Sequence, residues 1–131
     1  MTEILFVCSG NVGRSQMAEG YYNYLTQTDE ASSAGVDPKT PAKYPQLPDY
    51  IIEIMAEEGI DISHQLVKSI SEEMVREAEK IFVMCSREAC PDFLVESDKV
   101  TYWNIEDPFE MSTDELRKIR NQIRERVESI L

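Results

Sequence analysis

Cys8-Ser9-Gly10-Asn11-Val12-Gly13-Arg14-Ser15 puts a thiol, two glycines, a guanidinium and a hydroxyl into one short segment. A thiolate there is a nucleophile, and its neighbours suit an oxyanion. Gly10 and Gly13 let the backbone curl so that successive N–H groups point inward as an anion nest. A helix beginning behind the loop adds partial positive charge, and these donors favour thiolate over thiol at Cys8. Arg14 closes the ring with a planar fork that fits a tetrahedral oxyanion. Ser15 can hydrogen-bond the Cys8 sulfur and stabilise it as a leaving group. A nucleotide-binding P-loop needs Gly-Lys-Ser/Thr after four spacer residues, whereas here Arg14 stands for lysine and two residues separate the glycines. The plainer reading, a turn around a buried structural cysteine, fits poorly with this cysteine–arginine–serine spacing between a strand and a helix.

Such a loop needs a rigid strand before it and a helix after it. Glu3 to Cys8 is an apolar β-rich run of the kind covered on both faces. Ser15 to about Gln27 carries Met17, Tyr21, Tyr24 and Leu25 at helical spacing. Ser32 to Gly35 reads as a short strand, and the proline-rich segment 37–48 as a loop. Asp49 to Glu58 reads as a helix with Ile51, Ile52 and Met55 inward and Gly59 as its cap. Another helix starts at Ser71. Lys80 to Met84 and Val100 to Trp103 are further strands. Ser112 to Leu131 is the last helix, capped by Ser112 or Thr113, with Leu116, Ile119, Ile123, Val127 and Ile130 as its apolar stripe. Strands alternating with helices imply a mostly parallel sheet with helices on both faces. Such sheets bind ligands at the carboxyl ends of their strands, where the Cys8 loop lies. Cys85 and Cys90 follow the strand ending at Met84 and should emerge at the same edge. They are read as redox thiols, as ordinary structural cysteines, or as half of a metal site with His64, although no second ligand pair exists.

The 131 residues suit one domain spanning 1–131. Thirteen basic against 25 acidic residues give a net charge of -12, which repels nucleic acid and anionic membranes. Three cysteines cannot all pair within one chain. The start Met1-Thr2-Glu3 with a short apolar run does not resemble a signal peptide, and no stretch approaches the ~20 apolar residues of a membrane helix. The expectation is a cytoplasmic monomer with free thiols. Its charge does not forbid a small oxyanion, because acids beyond about 8 Å are screened.

The segment from Val7 to Gly20 resembles the low-molecular-weight protein tyrosine phosphatase superfamily. Arg14-Ser-Gln-Met-Ala-Glu-Gly20 is similar to its thioredoxin-coupled arsenate reductases, since the phosphatases usually carry proline where Gln16 stands. Ser33-Ala-Gly-Val36, Gly59-Ile-Asp-Ile-Ser63 and Trp103-Asn-Ile-Glu-Asp-Pro108 extend the match over nearly the whole chain in order. The resemblance implies a four-stranded parallel sheet flanked by helices and no bound cofactor or metal. Cys8 becomes the nucleophile toward arsenate or phosphate, residues Ser9 to Arg14 the oxyanion loop, and Asp107 of Asp107-Pro108 the general acid, with Glu106 as its unmatched neighbour. It further implies a relay in which Cys85 attacks the Cys8 adduct, Cys90 attacks Cys85, and thioredoxin or a similar dithiol reduces the resulting disulfide. The segment between Cys85 and Cys90 must then rearrange.

By the same resemblance Asn11 holds the shape of the loop and Glu19 lies in the matched helix, while other features depart from that pattern. Gly13 stands where relatives often have cysteine. Lys68 falls where some reductases carry an acidic potassium ligand, which argues against that site. Phe109-Glu110 follows Asp107-Pro108 in place of the paired tyrosines that flank aryl substrates in the phosphatases. Tyr44 and Tyr50 read as surface tyrosines covering a helix, His64 as a loop residue, and Met17, Met55 and Met74 as core filler. Two other functions stay open: a phosphatase acting on a phosphotyrosine protein with Cys85 and Cys90 idle, and a non-catalytic oxyanion or metalloid sensor, which would not need Asp107.

Overall fold

A computed structural model describes residues 3–108 and 110–131. Four parallel strands, β1 (Ile4–Cys8), β2 (Ala31–Gly35), β3 (Lys80–Val83) and β4 (Val100–Tyr102), lie in the order β2-β1-β3-β4. Every residue of β1 is buried, as its apolar sequence requires of a central strand. Its side chains alternate between two cores: Ile4, Phe6 and Cys8 face one, Leu5 and Val7 the other. The first core is closed by α1 (Arg14–Thr26), α2 (Asp49–Ala56) and α5 (Thr113–Glu128), the second by the short helices α3 (Glu72–Glu77) and α4 (Asp92–Val95). Register aligns Phe6 with Phe82, and the rings of Phe82 and Trp103 stack with centroids 4.4 Å apart.

Boundaries follow local chemistry. Ser112 caps α5 by accepting from the Glu115 amide while the Glu115 carboxylate accepts from the Ser112 amide. Gly59 ends the turn after α2 at φ 77°, a conformation that favours glycine. Helix α1 starts at Arg14, one residue before the expected Ser15, and Tyr24 on its expected stripe is exposed. In α2 the buried residues are Ile51, Ile54 and Met55, with Ile52 only half-buried. A 3₁₀ helix at Arg87–Ala89 and α4 were not expected; both are too short to show a period.

Two of the acidic residues brace the helices. Glu57 pairs with Arg117 at 2.8 Å and Arg120 at 2.7 Å, tying α2 to α5. Hydrogen bonds from those two arginines hold its carboxyl down at about 2. Glu58 pairs with Arg124 at 3.1 Å.

Candidate active site

The Cys8 loop sits at the carboxyl edge of the sheet, between β1 and the N-terminus of α1. Its shape depends on Asn11 more than on the glycines. Asn11 has φ 60°, the left-handed region that asparagine tolerates better than most residues, whereas neither Gly10 nor Gly13 has a positive φ. The Asn11 amide donates to Ser15 Oγ at 2.8 Å and Ser33 Oγ at 2.9 Å, and its Oδ1 accepts from the Lys68 amide at 2.9 Å. Gln16, fully buried behind it, donates to Asn11 Oδ1 at 2.9 Å and the Leu66 carbonyl at 2.8 Å, and accepts from Gln65 at 2.7 Å. Gly35 on β2 permits close approach: a Cβ there would lie 2.8 Å from the backbone of residues 9–11. Thr40 Oγ1 donates to the Gly10 carbonyl at 2.9 Å. Thr40, Gln65, Ser33 and Gly35 therefore hold the loop from three separate segments, and local sequence offered no signal for that role.

Cys8 Sγ is buried and lies 2.9 Å from Ser15 Oγ. Arg14 is only 6% exposed. Its Nη1 donates to the carbonyls of Met84 and, at 3.0 Å, Ile105, while Nη2 donates to Ser9 Oγ at 3.3 Å and lies 3.7 Å from the largely exposed carboxylate of Asp107. The guanidinium is thus held at the ends of β3 and β4 with its other edge toward the loop. A cavity of about 380 Å³ opens in front, lined among others by Cys8, Arg14, Tyr44, Tyr50 and Asp107. The placement of Tyr44 and Tyr50 corrects the expectation that they merely cover a helix. Segment 37–48, anchored by Thr40, brings Tyr44 to the mouth, and the first turn of α2 brings Tyr50. The acids lining this cavity are Asp37 and Asp107; Glu106 is exposed beside them in sequence and does not line it. Phe109, expected as the remaining mouth aromatic, lies outside the described residues.

Behind Arg14 lies a second cavity of about 430 Å³, lined among others by Arg14, Cys85, Arg87, Tyr102 and Trp103. Cys85 lines this cavity, and Cys90 follows across one 3₁₀ turn. Cys90 Sγ donates to the Ser86 carbonyl, next to Cys85, at 3.4 Å, and the side chains of Cys85, Cys90 and Tyr102 are near enough to shift one another's titration. The segment between the two cysteines forms the 3₁₀ turn Arg87–Ala89. Burial pushes the Cys85 thiol up to about 12, the Cys90 and Cys8 sulfurs add to the rise, and Arg14 opposes it. Burial likewise raises Cys90, against hydrogen bonding from Cys85 and the charge of Arg87. All three cysteines are free thiols.

His64 is exposed on its loop, and no group of three metal-ligating side chains comes together among the described residues. Glu19 accepts from Ser33 Oγ at 2.6 Å; burial raises its carboxyl, and the nearby positive charge of Lys68 draws it back down. The Lys68 ammonium itself donates to the Leu66 carbonyl at 3.4 Å. None of the helices among the described residues is long and apolar enough to cross a membrane.

Residues 3–131 match a family described as low molecular weight phosphotyrosine protein phosphatase. The chain is 31% identical to arsenate reductase 2 of Staphylococcus epidermidis over 96% of its own length and 93% of that protein. It superposes on a solved arsenate reductase in the phosphate binding state with a TM-score of 0.82 and 30% identity, covering 99% of this chain and 96% of the other. A low molecular weight protein tyrosine phosphatase from T. tengcongensis gives a TM-score of 0.79 at 27% identity, covering 99% and 97%.

Proposed function

Given that the chain belongs to the low molecular weight phosphotyrosine protein phosphatase family, we propose that it reduces arsenate to arsenite through Cys8, Cys85 and Cys90, with thioredoxin or a similar dithiol as reductant in the cytoplasm. The observation that carries this reading is the thiol pair Cys85–Cys90 at the Cys8 edge of the sheet, close enough that the Cys8 sulfur raises Cys85. A phosphatase needs neither thiol.

The loop amides and Arg14 bind the oxyanion, and the Cys8 thiolate attacks arsenic. Asp107 gives its proton to the departing oxygen, and water leaves as the sulfur–arsenic bond forms. Cys85, having lost its proton, attacks Cys8 Sγ. The electron pair of the sulfur–arsenic bond stays with arsenic, which falls from pentavalent to trivalent and leaves as arsenite. Cys90 then attacks Cys85 Sγ, releasing the Cys8 thiolate, which Ser15 stabilises at 2.9 Å. Two electrons from the external dithiol reopen the Cys85–Cys90 disulfide.

The reading is tested by following arsenate-dependent NADPH oxidation with thioredoxin and its reductase, beside hydrolysis of an aryl phosphate. Cys85→Ser and Cys90→Ser are each expected to stop arsenate turnover while hydrolysis, which needs only the loop and Asp107, persists. Undiminished arsenate turnover in both variants would overturn the relay. Asp107→Asn is expected to slow arsenate reduction by about 10²–10⁴, the usual contribution of a general acid. Hydrolysis of nitrophenyl phosphate should fall less, because nitrophenolate leaves without a proton. Equal losses on both substrates would remove Asp107 from the acid role.

A second reading is favoured by the mouth. The cavity of about 380 Å³ with two tyrosines at its rim is larger than an oxyanion requires, which supports phosphomonoester hydrolysis through a phosphocysteine as a companion activity.

A further inference from the structure

Cys85 and Cys90 flank a single 3₁₀ turn, and Cys85 lines a second cavity that shares Arg14 with the first. Both are reduced and only partly buried. Two thiols held over one short turn, with Cys90 Sγ 3.4 Å from the Ser86 carbonyl next to Cys85, can both be ligands to one soft atom, and trivalent arsenic or antimony takes up thiols by exchanging its hydroxyls for sulfur. We propose that the Cys85–Cys90 pair is a binding site for trivalent arsenic or antimony oxyacids, distinct from the oxyanion loop, so that arsenite caps the relay thiols.

The exchange is As(OH)₃ plus two thiols giving (Cys85-S)(Cys90-S)As–OH plus two waters. Both thiol protons leave in water, arsenic stays trivalent, and no oxidant or reductant is consumed. High thiol pKa values are no obstacle, since the incoming hydroxyls remove the protons. Pre-placement of the second thiol makes its bond an intramolecular event, which strengthens binding by about 10²-fold or more over a single thiol. Cys8, buried and hydrogen-bonded with Ser15, is not one of the two thiols exchanged. The site is made of the relay thiols proposed above, yet binding requires no turnover. It therefore stands or falls independently of arsenate reduction.

The reduced protein is incubated with sodium arsenite and desalted, and arsenic is counted per chain. Emission of Trp103, the only tryptophan, which lines the same cavity, is followed in parallel. The expected result is one arsenic per wild-type chain with a change in emission. The same is expected of Cys8→Ser, with retention weakened about 10²-fold or more in Cys85→Ser and in Cys90→Ser. In the wild-type protein, bound arsenite should protect Cys85 and Cys90 from alkylation, read by peptide mass. Arsenite at a filling concentration should block thioredoxin-dependent arsenate turnover while leaving aryl phosphate hydrolysis untouched. Retention unchanged in the Cys85 and Cys90 variants, loss of retention in Cys8→Ser, or hydrolysis inhibited in step with occupancy would each overturn the proposal. Absence of arsenate turnover alongside thiol-pair-dependent arsenite binding would count against the reductase reading and support this one.

Discussion

Cys8→Ser is expected to abolish both arsenate reduction and aryl phosphate hydrolysis, by on the order of 10⁴-fold or more, as the loss of a covalent nucleophile does elsewhere. Serine differs from cysteine only in a smaller atom on a shorter bond, and its hydroxyl can still hydrogen-bond the Ser15 hydroxyl that faces Cys8. The fold should therefore survive, with a melting temperature close to wild type. The loop amides and Arg14 should still bind the oxyanion, so phosphate or arsenate should still protect the variant against thermal unfolding. The measurement is kcat for both reactions beside the ligand-induced shift in Tm. Turnover of either substrate near the wild-type rate would remove Cys8 from the chemistry, and with it both enzyme readings.

Arg14→Lys is expected to cost about 10²–10³ in kcat for both reactions, the scale of losing one aimed donor to a developing oxyanion. The reason lies in what the guanidinium touches. One nitrogen is committed to the carbonyls of Met84 and Ile105, and the other faces Ser9 and Asp107. A single ammonium cannot keep the carbonyl anchors and address the loop at once. Leaving a buried carbonyl unbonded also costs about 1–3 kcal/mol of stability, so thermal unfolding should shift down as well. A lysine variant with wild-type kcat would show that positive charge alone suffices and that the fork geometry plays no part.

The strands and long helices were legible because each is a local pattern. The all-apolar run of β1 and the stripe Leu116, Ile119, Ile123 and Val127 of α5 follow from burial on two faces and on one face respectively. The Cys8 loop was legible for the same reason: nucleophile, arginine and serine lie within one short segment. Less was readable where the signal is short or shared. Gly10 and Gly13 drew attention as the flexible points, yet the left-handed residue is Asn11, whose side chain is held by Ser15, Ser33 and the Lys68 amide. Tyr44 and Tyr50 sit among prolines with no periodicity, so nothing local separated a surface cover from the rim of a cavity.

By itself, the order of residues determined the parallel α/β architecture, the cysteine–arginine–serine loop after the first strand and the presence of two further thiols beyond a strand. Only the tertiary structure decided what those parts do to one another. Arg14 is anchored by carbonyls 70 and 91 residues away in sequence, Thr40 reaches the loop from 30 away, and Cys85 meets Cys90 across a turn too short to predict. Local sequence sets dihedral preferences and which face is apolar. Distances between segments are set by strand register and by how the two cores fill, and the spacing of a thiol pair or the grip on a guanidinium is a property of that packing.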